Sequence, residues 1–159
     1  MGLSVEKEVS DDVCRFTFKG SMDESAEKVL KEVVSDEPKV VFNFDELENI
    51  NSLGIRSWLK FLRVFEEKKE IVFEKCTVDI IMQINLHLRF KGNGKITDFY
   101  CEYNCKDCDD DFTFLFDCKG SFNELVKTLS SKKCPKCGGT LSPYVSLDNY
   151  LSFRRSAGA

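Results

Sequence analysis

Residues 39–44 read KVVFNF, a short apolar run with Pro38 on one side and Asp45 on the other. A run of this length without polar alternation is typical of a central strand covered on both faces. An amphipathic helix follows at residues 53–67, and its apolar stripe includes Trp58. A buried strand that leads into an amphipathic helix predicts an α/β sheet joined by crossover helices.

The rest of the first 90 residues continues this alternation of strands and helices. Further strands are predicted at residues 3–9, 13–18 and 70–73. A helix is predicted after Ser21, which opens a capping box with Glu24 three residues later. Another helix is predicted at residues 78–86, with Thr77 as its N-cap. We therefore predict one α/β domain over residues 1–92.

Two C-x-x-C pairs, Cys105-Lys-Asp-Cys108 and Cys134-Pro-Lys-Cys137, lie in the last third of the chain. This spacing lets two thiolates turn onto one ion, and two such knuckles complete a tetrahedron of Zn–S bonds of about 2.3 Å. Two disulfides or a redox C-x-x-C are the alternatives, and a reducing compartment favours zinc over disulfides. We predict one structural Zn²⁺ per chain, bound by Cys105, Cys108, Cys134 and Cys137.

Residues 96–159 are predicted to form a small zinc-ribbon module that follows the Gly-rich turn at residues 91–95. Six of the eight cysteines lie in this region, which is too small and too polar to fold on apolar burial alone. Strands are predicted at residues 96–103 and 112–116. A short helix is predicted after Ser121, which opens a second capping box with Glu124.

Charge and hydropathy argue against two classes of partner, nucleic acids and membranes. The chain has 159 residues and a net charge of −4, and the residues after 99 hold acidic and basic side chains in equal number. A nucleic-acid-binding ribbon should be basic, and Asp109, Asp110 and Asp111 directly after the first knuckle oppose phosphate further. No apolar stretch is long enough to span a membrane, and the N-terminus has no secretory signal. We expect a cytoplasmic protein that binds neither nucleic acid nor membrane.

An apolar strand, a turn at residues 45–51 and an amphipathic helix follow one another, and this order resembles the STAS domain, the fold of anti-sigma-factor antagonists. The family typically has Asp-Ser-Ser-Gly at the N-terminus of this helix, where this chain has Asn51, Ser52, Leu53 and Gly54. The resemblance covers roughly residues 3–90. It implies a protein-interaction and signalling module whose partner is an anti-sigma-type kinase or another signalling protein.

The later part of the chain is similar to a bacterial subgroup of STAS-like proteins with a C-terminal zinc ribbon, a subgroup whose function is unassigned. Residues 82–85, residues 96–100, the two knuckles and the tail at residues 147–153 carry this similarity. The resemblance implies metal ligands at the positions of the same four cysteines, and it leaves Cys101 outside the ligand set.

The phosphorylated serine of the family is the third residue of its Asp-Ser-Ser-Gly motif, and Leu53 occupies that position here. The resemblance therefore implies that the usual phospho-switch is absent. Ser52 could accept a phosphate at a helix N-terminus, where the macrodipole favours an anion, but we interpret it as an ordinary N-cap. The predicted docking surface comprises Asn51, Ser52, Leu53, Gly54, Arg56 and Lys60.

The remaining cysteines and the single histidine have structural interpretations. Cys14 and Cys76 are predicted to be small buried apolar residues. Cys101 and Cys118 have no partner at two-residue spacing and are predicted not to bind the metal, although either becomes a ligand if the predicted set is wrong. His87 has no nucleophile or carboxylate at a telling spacing, so we place it at a helix end or in the core.

These observations favour a non-enzymatic STAS-like interaction module with a structural four-cysteine zinc site. Four thiolates close the coordination sphere and leave no position for water or substrate, so zinc hydrolysis would require a different ligand set. A nucleic-acid-binding zinc-ribbon regulator and a small-anion sensor that uses a helix N-terminus are the alternatives. A homodimer is left open.

Overall fold

Two β-sheets organise the computed structural model, which describes residues 2–67 and 69–156. The strands of the first sheet lie side by side in chain order: β1 (Ser4–Ser10), β2 (Val13–Met22), β3 (Lys39–Ile50), β4 (Glu70–Glu74) and β5 (Lys95–Ile96). β1 and β2 form an antiparallel hairpin, while β2, β3, β4 and β5 pair in parallel. Each strand of this sheet therefore lies next to the strand that precedes it in the sequence.

Each parallel connection in this sheet contains at least one helix, because parallel neighbours need a crossover. The helices are α1 (Ala26–Leu30), α2 (Ser52–Glu66), α3 (Val78–Leu86) and α4 (Leu88–Lys91). The predicted α/β sheet with crossover helices is therefore confirmed. In the described parts of the chain, no helix has both the length and the apolar character that a membrane span needs.

Trp58 on α2 is the centre of the core between the helices and the first sheet. Its side chain is fully buried, and its ring centroid lies 5.2–5.9 Å from six aromatic partners: Phe18, Phe42, Phe44, Phe61, Phe73 and Phe90. The indole N–H donates a hydrogen bond to the carbonyl oxygen of Phe90 at 2.9 Å. One side chain thus ties α2 to the sheet and to α4.

The second sheet has three strands in the order β7, β6, β8, all antiparallel. Its strands are β6 (Asp98–Cys105), β7 (Asp110–Asp117) and β8 (Ser142–Pro143), and its helices are α5 (Phe122–Ser130), α6 (Leu147–Tyr150) and α7 (Ser152–Ser156). The hydroxyl of Tyr103 on β6 donates to the carbonyl oxygen of Leu129 at 2.7 Å, which fixes α5 to this sheet.

The two sheets meet along the segment between β4 and α3. Cys76 forms a parallel bridge with Phe99, and its carbonyl oxygen accepts the N–H of Tyr100 at 2.9 Å. The amide of Asn85 on α3 donates to the carbonyl oxygen of Tyr150 at 2.8 Å. Buried side chains from both sheets form one continuous apolar cluster. The division into units of residues 1–92 and 96–159 stays a prediction.

Three predicted helix starts are found where the sequence placed them. α2 begins within one residue of the predicted position. The hydroxyl of Thr77 accepts the N–H of Ile80, as expected of the N-cap of α3. Ser121 is the N-cap of α5, since its hydroxyl accepts the N–H of Glu124 at 3.2 Å; the same hydroxyl donates to the Glu124 carboxylate at 3.3 Å.

The predicted capping box at Ser21 and Glu24 is wrong. Ser21 belongs to β2, where it is 9% exposed and pairs with Asn49 of β3. The helix begins later, with Ser25 in the N-cap position of α1. Tertiary strand pairing here overrides a local capping signal, because the neighbouring strand supplies the backbone hydrogen bonds that a cap would otherwise provide.

The predicted turn at residues 45–51 is also largely wrong, because β3 continues through Ile50. Asp, Glu and Asn are poor strand formers, which hides the strand in the sequence. The ladder to β2 persists through two register shifts, and Leu47 is buried in the core as part of it. The long strand brings the start of α2 directly over the end of β2.

Candidate functional site

The two C-x-x-C segments fold into knuckles of the same geometry. The first lies at the turn between β6 and β7, and the second follows α5. In the first, the N–H of Asp109 donates to the carbonyl oxygen of Cys105 at 2.8 Å, and in the second the N–H of Gly138 donates to that of Cys134 at 2.9 Å. Asp109 and Gly138 both have positive φ, 56° and 74°. Each knuckle therefore needs a left-handed residue after its second cysteine.

The knuckles bring four sulfur atoms together. The Sγ atoms of Cys105, Cys108, Cys134 and Cys137 all lie within 4.8 Å of one another. Across the knuckles, the sulfurs of Cys105 and Cys137 are 3.6 Å apart, and those of Cys108 and Cys134 are 3.9 Å apart. Four thiolates at tetrahedral Zn–S bonds of about 2.3 Å would lie about 3.8 Å from one another. Donor set and spacing both fit a Zn²⁺ ion.

Backbone N–H groups and one lysine provide positive potential around the sulfurs. The N–H of Lys136 points to the sulfur of Cys134, and that of Gly139 to the sulfur of Cys137, each at 3.4 Å. Burial opposes ionisation of Cys134, but backbone N–H groups of Cys137 and Lys136 stabilise its thiolate and bring its pKa down to about 7. These N–H groups thus favour the thiolate of Cys134, the form that metals bind. The pKa of Cys108 is instead raised, first by its hydrogen bond with Cys137 and then by burial.

An ion pair joins the two knuckles directly. The ammonium of Lys136 in the second knuckle lies 2.5 Å from the carboxylate of Asp110 at the start of β7. This contact holds the knuckles together without using a cysteine. Of the two acidic neighbours beside it, Asp111 accepts a hydrogen bond from the hydroxyl of Tyr144. Asp110 and Asp111 of the acidic run after the first knuckle therefore have partners at Lys136 and Tyr144.

The other cysteines lie outside the four-sulfur group. Cys14 and Cys76 are fully buried, as predicted, and burial raises the pKa of both thiols. Cys101 is fully buried on β6, and Cys118 is half-buried after the end of β7. His87 is exposed at the junction between α3 and α4, which confirms the helix-end interpretation.

Asn51 is the N-cap of α2. Its side-chain oxygen accepts the N–H of Gly54 at 3.0 Å, and its own N–H donates to the carbonyl oxygen of Met22 at 3.1 Å. The interpretation of Ser52 as the N-cap is therefore wrong, since Ser52 is the first residue within the helix. Asn51 takes the role because its backbone is extended and its short carboxamide reaches the third helical residue.

Gly54 packs against the backbone of β2. A Cβ atom at this position would lie 1.8 Å from the carbonyl oxygen of Met22 and 2.4 Å from its carbonyl carbon. Only glycine allows the first turn of α2 to approach the strand so closely. Gly54 is thus buried and positions the turn, while its neighbours Asn51, Ser52 and Leu53 are exposed.

We expect Gly54→Ala to destabilise the fold by about 3 kcal/mol or more, the upper end of the cost of overpacking, because the obstructing atoms belong to the backbone. Urea unfolding followed by circular dichroism measures this change. Ser52→Ala in the same turn is the matched control and should change the free energy of unfolding by less than about 0.5 kcal/mol. A Gly54→Ala protein as stable as the wild type would contradict the close approach.

The exposed side of α2 carries the other predicted docking residues. Ser52, Arg56 and Lys60 recur every four residues and so share one side of the helix. Leu53 beside them is 47% exposed. The ammonium of Lys60 lies 3.7 Å from the carboxylate of Glu27 on α1. The structure therefore places an exposed leucine next to two cationic side chains at the start of α2.

Sequence reasoning missed an apolar groove between α1 and α2. The groove has a volume of about 280 Å³, and its walls include Leu30, Val34, Phe61 and Val64. Val34 and Val64 are 65% and 71% exposed. The sequence signal was weak, because Val64 lies outside the apolar stripe of α2 and Val34 lies beyond the end of α1.

No protein-family model and no curated protein matches this sequence. Among solved structures, the chain is similar to an anti-sigma factor antagonist from Mycobacterium paratuberculosis, with a TM-score of 0.45, 18% identity, and coverage of 53% of this chain and 76% of that one. It is also similar to the anti-sigma factor antagonist SpoIIAA in its unphosphorylated form, with a TM-score of 0.36, 18% identity, and coverage of 45% and 71%. Both belong to the class that the sequence resemblance names.

Proposed function

We propose that this chain is a non-enzymatic protein-interaction module whose C-terminal part is held together by a structural Zn²⁺. The observation that carries the proposal is the group of four sulfurs within 4.8 Å of one another. A set of four cysteines fills all four positions of a tetrahedral ion, so neither water nor substrate has a place to bind and be activated. The metal would act as a cross-link between two segments that are distant in the sequence.

The residues around the sulfurs support a structural role. The N–H groups of Lys136 and Gly139 point at sulfur, and the Lys136–Asp110 ion pair closes the same junction. Bound Zn²⁺ would neutralise part of the thiolate charge, and the N–H groups would stabilise the rest. A reducing compartment such as the cytoplasm keeps these thiols available, and we place the protein there.

We further propose that the N-terminal half of α2 docks a partner protein. Leu53 supplies an exposed apolar contact, and Arg56 and Lys60 supply positive charge beside it. Such a surface suits a partner with an apolar pocket and an acidic rim. The STAS resemblance suggests an anti-sigma-type kinase or another signalling protein. Because leucine has no hydroxyl, phosphorylation at position 53 would not control this interaction.

Affinity capture from the native cell with a charge-reversed surface tests the docking proposal. The bait Leu53→Asp/Arg56→Glu/Lys60→Glu should lose its main protein partner by at least about tenfold, because both the apolar and the cationic contacts are removed. The control bait Lys119→Glu/Lys127→Glu reverses two exposed lysines in the C-terminal part and should retain the partner. Equal recovery of every partner by both baits would contradict this surface.

A further inference from the structure

A second cavity lies between the first sheet and the C-terminal tail, far along the chain from the proposed docking surface. It has a volume of about 410 Å³. The turn between α4 and β5 provides one wall, and residues after β7 and in α7 provide the other. Its main polar lining residues are Lys91, Lys95, Cys118 and Arg154. Segments that are distant in the sequence therefore build it together.

All the charged side chains that line this cavity are cationic. Lys91, Lys95 and Arg154 contribute to its wall, while Asp and Glu contribute none among the residues that line it. Within residues 2–67 and 69–156, no carboxylate lies within 4.0 Å of the charged nitrogens of these three. The chain as a whole carries a net charge of −4, so its overall composition does not explain why three cationic side chains and no carboxylate line one cavity.

Two of the three cations are held in place by backbone oxygens. Arg154 donates two hydrogen bonds to the carbonyl oxygen of Gly120, at 2.8 and 3.2 Å, from Nη2 and Nε. The ammonium of Lys91 donates to the carbonyl oxygen of Gly94 at 2.9 Å. A guanidinium has five N–H donors and an ammonium has three, so both keep donors for a ligand. The cations are thus positioned without being neutralised.

Three acidic groups lie beside the cavity without lining it: Glu66, whose carboxylate packs against Gly92, and Asp98 and Asp117 near Cys118. Burial raises the pKa of Cys118 to about 12; the charge of Arg154 opposes this shift, and Asp98 and Asp117 add to it. The thiol is therefore neutral and adds no negative charge to the cavity. The carboxylate of Asp98 accepts the N–H of Lys75, and that of Asp117 accepts the N–H of Lys119 at 3.0 Å. Neither carboxylate lines the cavity.

Burial also lowers the pKa of Lys91. A bound anion would stabilise the charged form of Lys91 and so offset part of the free-energy cost of burying it. The volume lies near the small end of the range for ligand pockets, about 300–1,000 Å³, which suits a small molecule better than a chain segment. A guanidinium fork and two ammonium groups match the charge and the several acceptor oxygens of a phosphate group.

We propose that this cavity, formed by Lys91, Lys95 and Arg154, binds a small soluble molecule that carries phosphate. The site is separate from the N-terminus of α2 and from the four cysteines. It lies where the first sheet meets α7, so a bound ligand would contact both parts of the chain.

Inorganic pyrophosphate, titrated into the zinc-loaded full-length protein at low ionic strength, is the probe that tests this proposal. Calorimetry should show one site with a Kd of about 1 mM or tighter. Amide resonances of Gly94 and Lys95 should shift in the same titration. Resonance shifts confined to Ser52, Leu53 and Gly54 would assign the anion to the N-terminus of α2 and overturn the proposal.

Charge-removing variants make the test specific. Lys91→Gln/Lys95→Gln should weaken binding by at least about tenfold, and Lys95→Gln alone, at an exposed position, should weaken it by about threefold. Lys28→Gln/Lys127→Gln removes two exposed lysines elsewhere and should leave the affinity unchanged within about twofold. Absence of binding to the wild type, or an equal loss in the control, would overturn the proposal.

A phosphate group could also come from a lipid, so phosphatidylcholine vesicles that contain phosphatidic acid form a second arm of the test. We expect no co-sedimentation of the protein with these vesicles. Binding to the vesicles without binding to pyrophosphate would assign the cations to a membrane surface and overturn the proposal of a soluble ligand.

Discussion

Replacing Cys108 and Cys134 together with serine is expected to remove the Zn²⁺ and to unfold the C-terminal part of the chain. The two residues belong to different knuckles, and their sulfurs lie 3.9 Å apart. Structural zinc contributes about 10–16 kcal/mol to the folding of zinc-finger peptides. If even about 5 kcal/mol is lost here, the melting temperature should fall by about 10–20 °C for a chain of this size.

Two measurements detect the loss of zinc and the local unfolding that we expect to accompany it. Elemental analysis should show zinc falling from one ion per chain to none. Hydrogen exchange should show lost protection in the turn between β6 and β7 and in residues 131–141, while α2 and the first sheet keep most of theirs. Cys101→Ala/Cys118→Ala is the matched control and should retain one zinc per chain. Zinc retained by the serine variant, or lost by the alanine control, would show that the ligand set is different.

Trp58→Ala should destabilise the protein by about 3–5 kcal/mol, the usual cost of truncating a large buried aromatic residue. The side chain is fully buried and contacts six aromatic rings, so its removal leaves a cavity that rigid neighbours cannot fill. The carbonyl oxygen of Phe90 also loses the indole N–H that pairs with it. In the Trp58→Ala protein, the core between α2 and the first sheet should therefore be the first part to unfold.

Trp58→Phe separates packing from hydrogen bonding. It keeps an aromatic ring in the core but leaves the Phe90 carbonyl without its donor, which should cost about 1–3 kcal/mol. Urea unfolding followed by far-UV circular dichroism is the measurement, because Trp58 is the single tryptophan and its fluorescence disappears in both variants. A Trp58→Ala protein destabilised by less than the phenylalanine variant would contradict the central position of this residue.

The sequence predicted those parts of the fold whose signals are local. The caps at Thr77 and Ser121 are confirmed because each depends on residues within one helical turn. The buried strand at residues 39–44 and the stripe of α2 are confirmed because their periodicity follows directly from burial. The second half of β3 was missed, since its polar residues form a strand only through pairing with β2. The error at Ser21 has the same cause.

The candidate sites also have features that the local sequence predicts and features that only the structure provides. The four cysteines could be named from the sequence because a two-residue spacing encodes the knuckle itself. Their approach to within 4.8 Å required the hairpin of β6 and β7 and the loop after α5 to meet, and only the structure provides that distance. The cavity with Lys91 and Arg154 has no local signal, because its lining comes from three separate segments of the chain, at residues 91–96, 118 and 153–154.

X-ray absorption spectroscopy at the zinc edge of the purified protein tests the central claim most directly. Four sulfur ligands at about 2.3 Å, with no oxygen or nitrogen in the first coordination shell, are the predicted result, because a site of four cysteines is closed. A spectrum that requires three sulfurs and one oxygen would contradict the account. It would place an open position on the metal and turn the proposed structural centre into a candidate catalytic one.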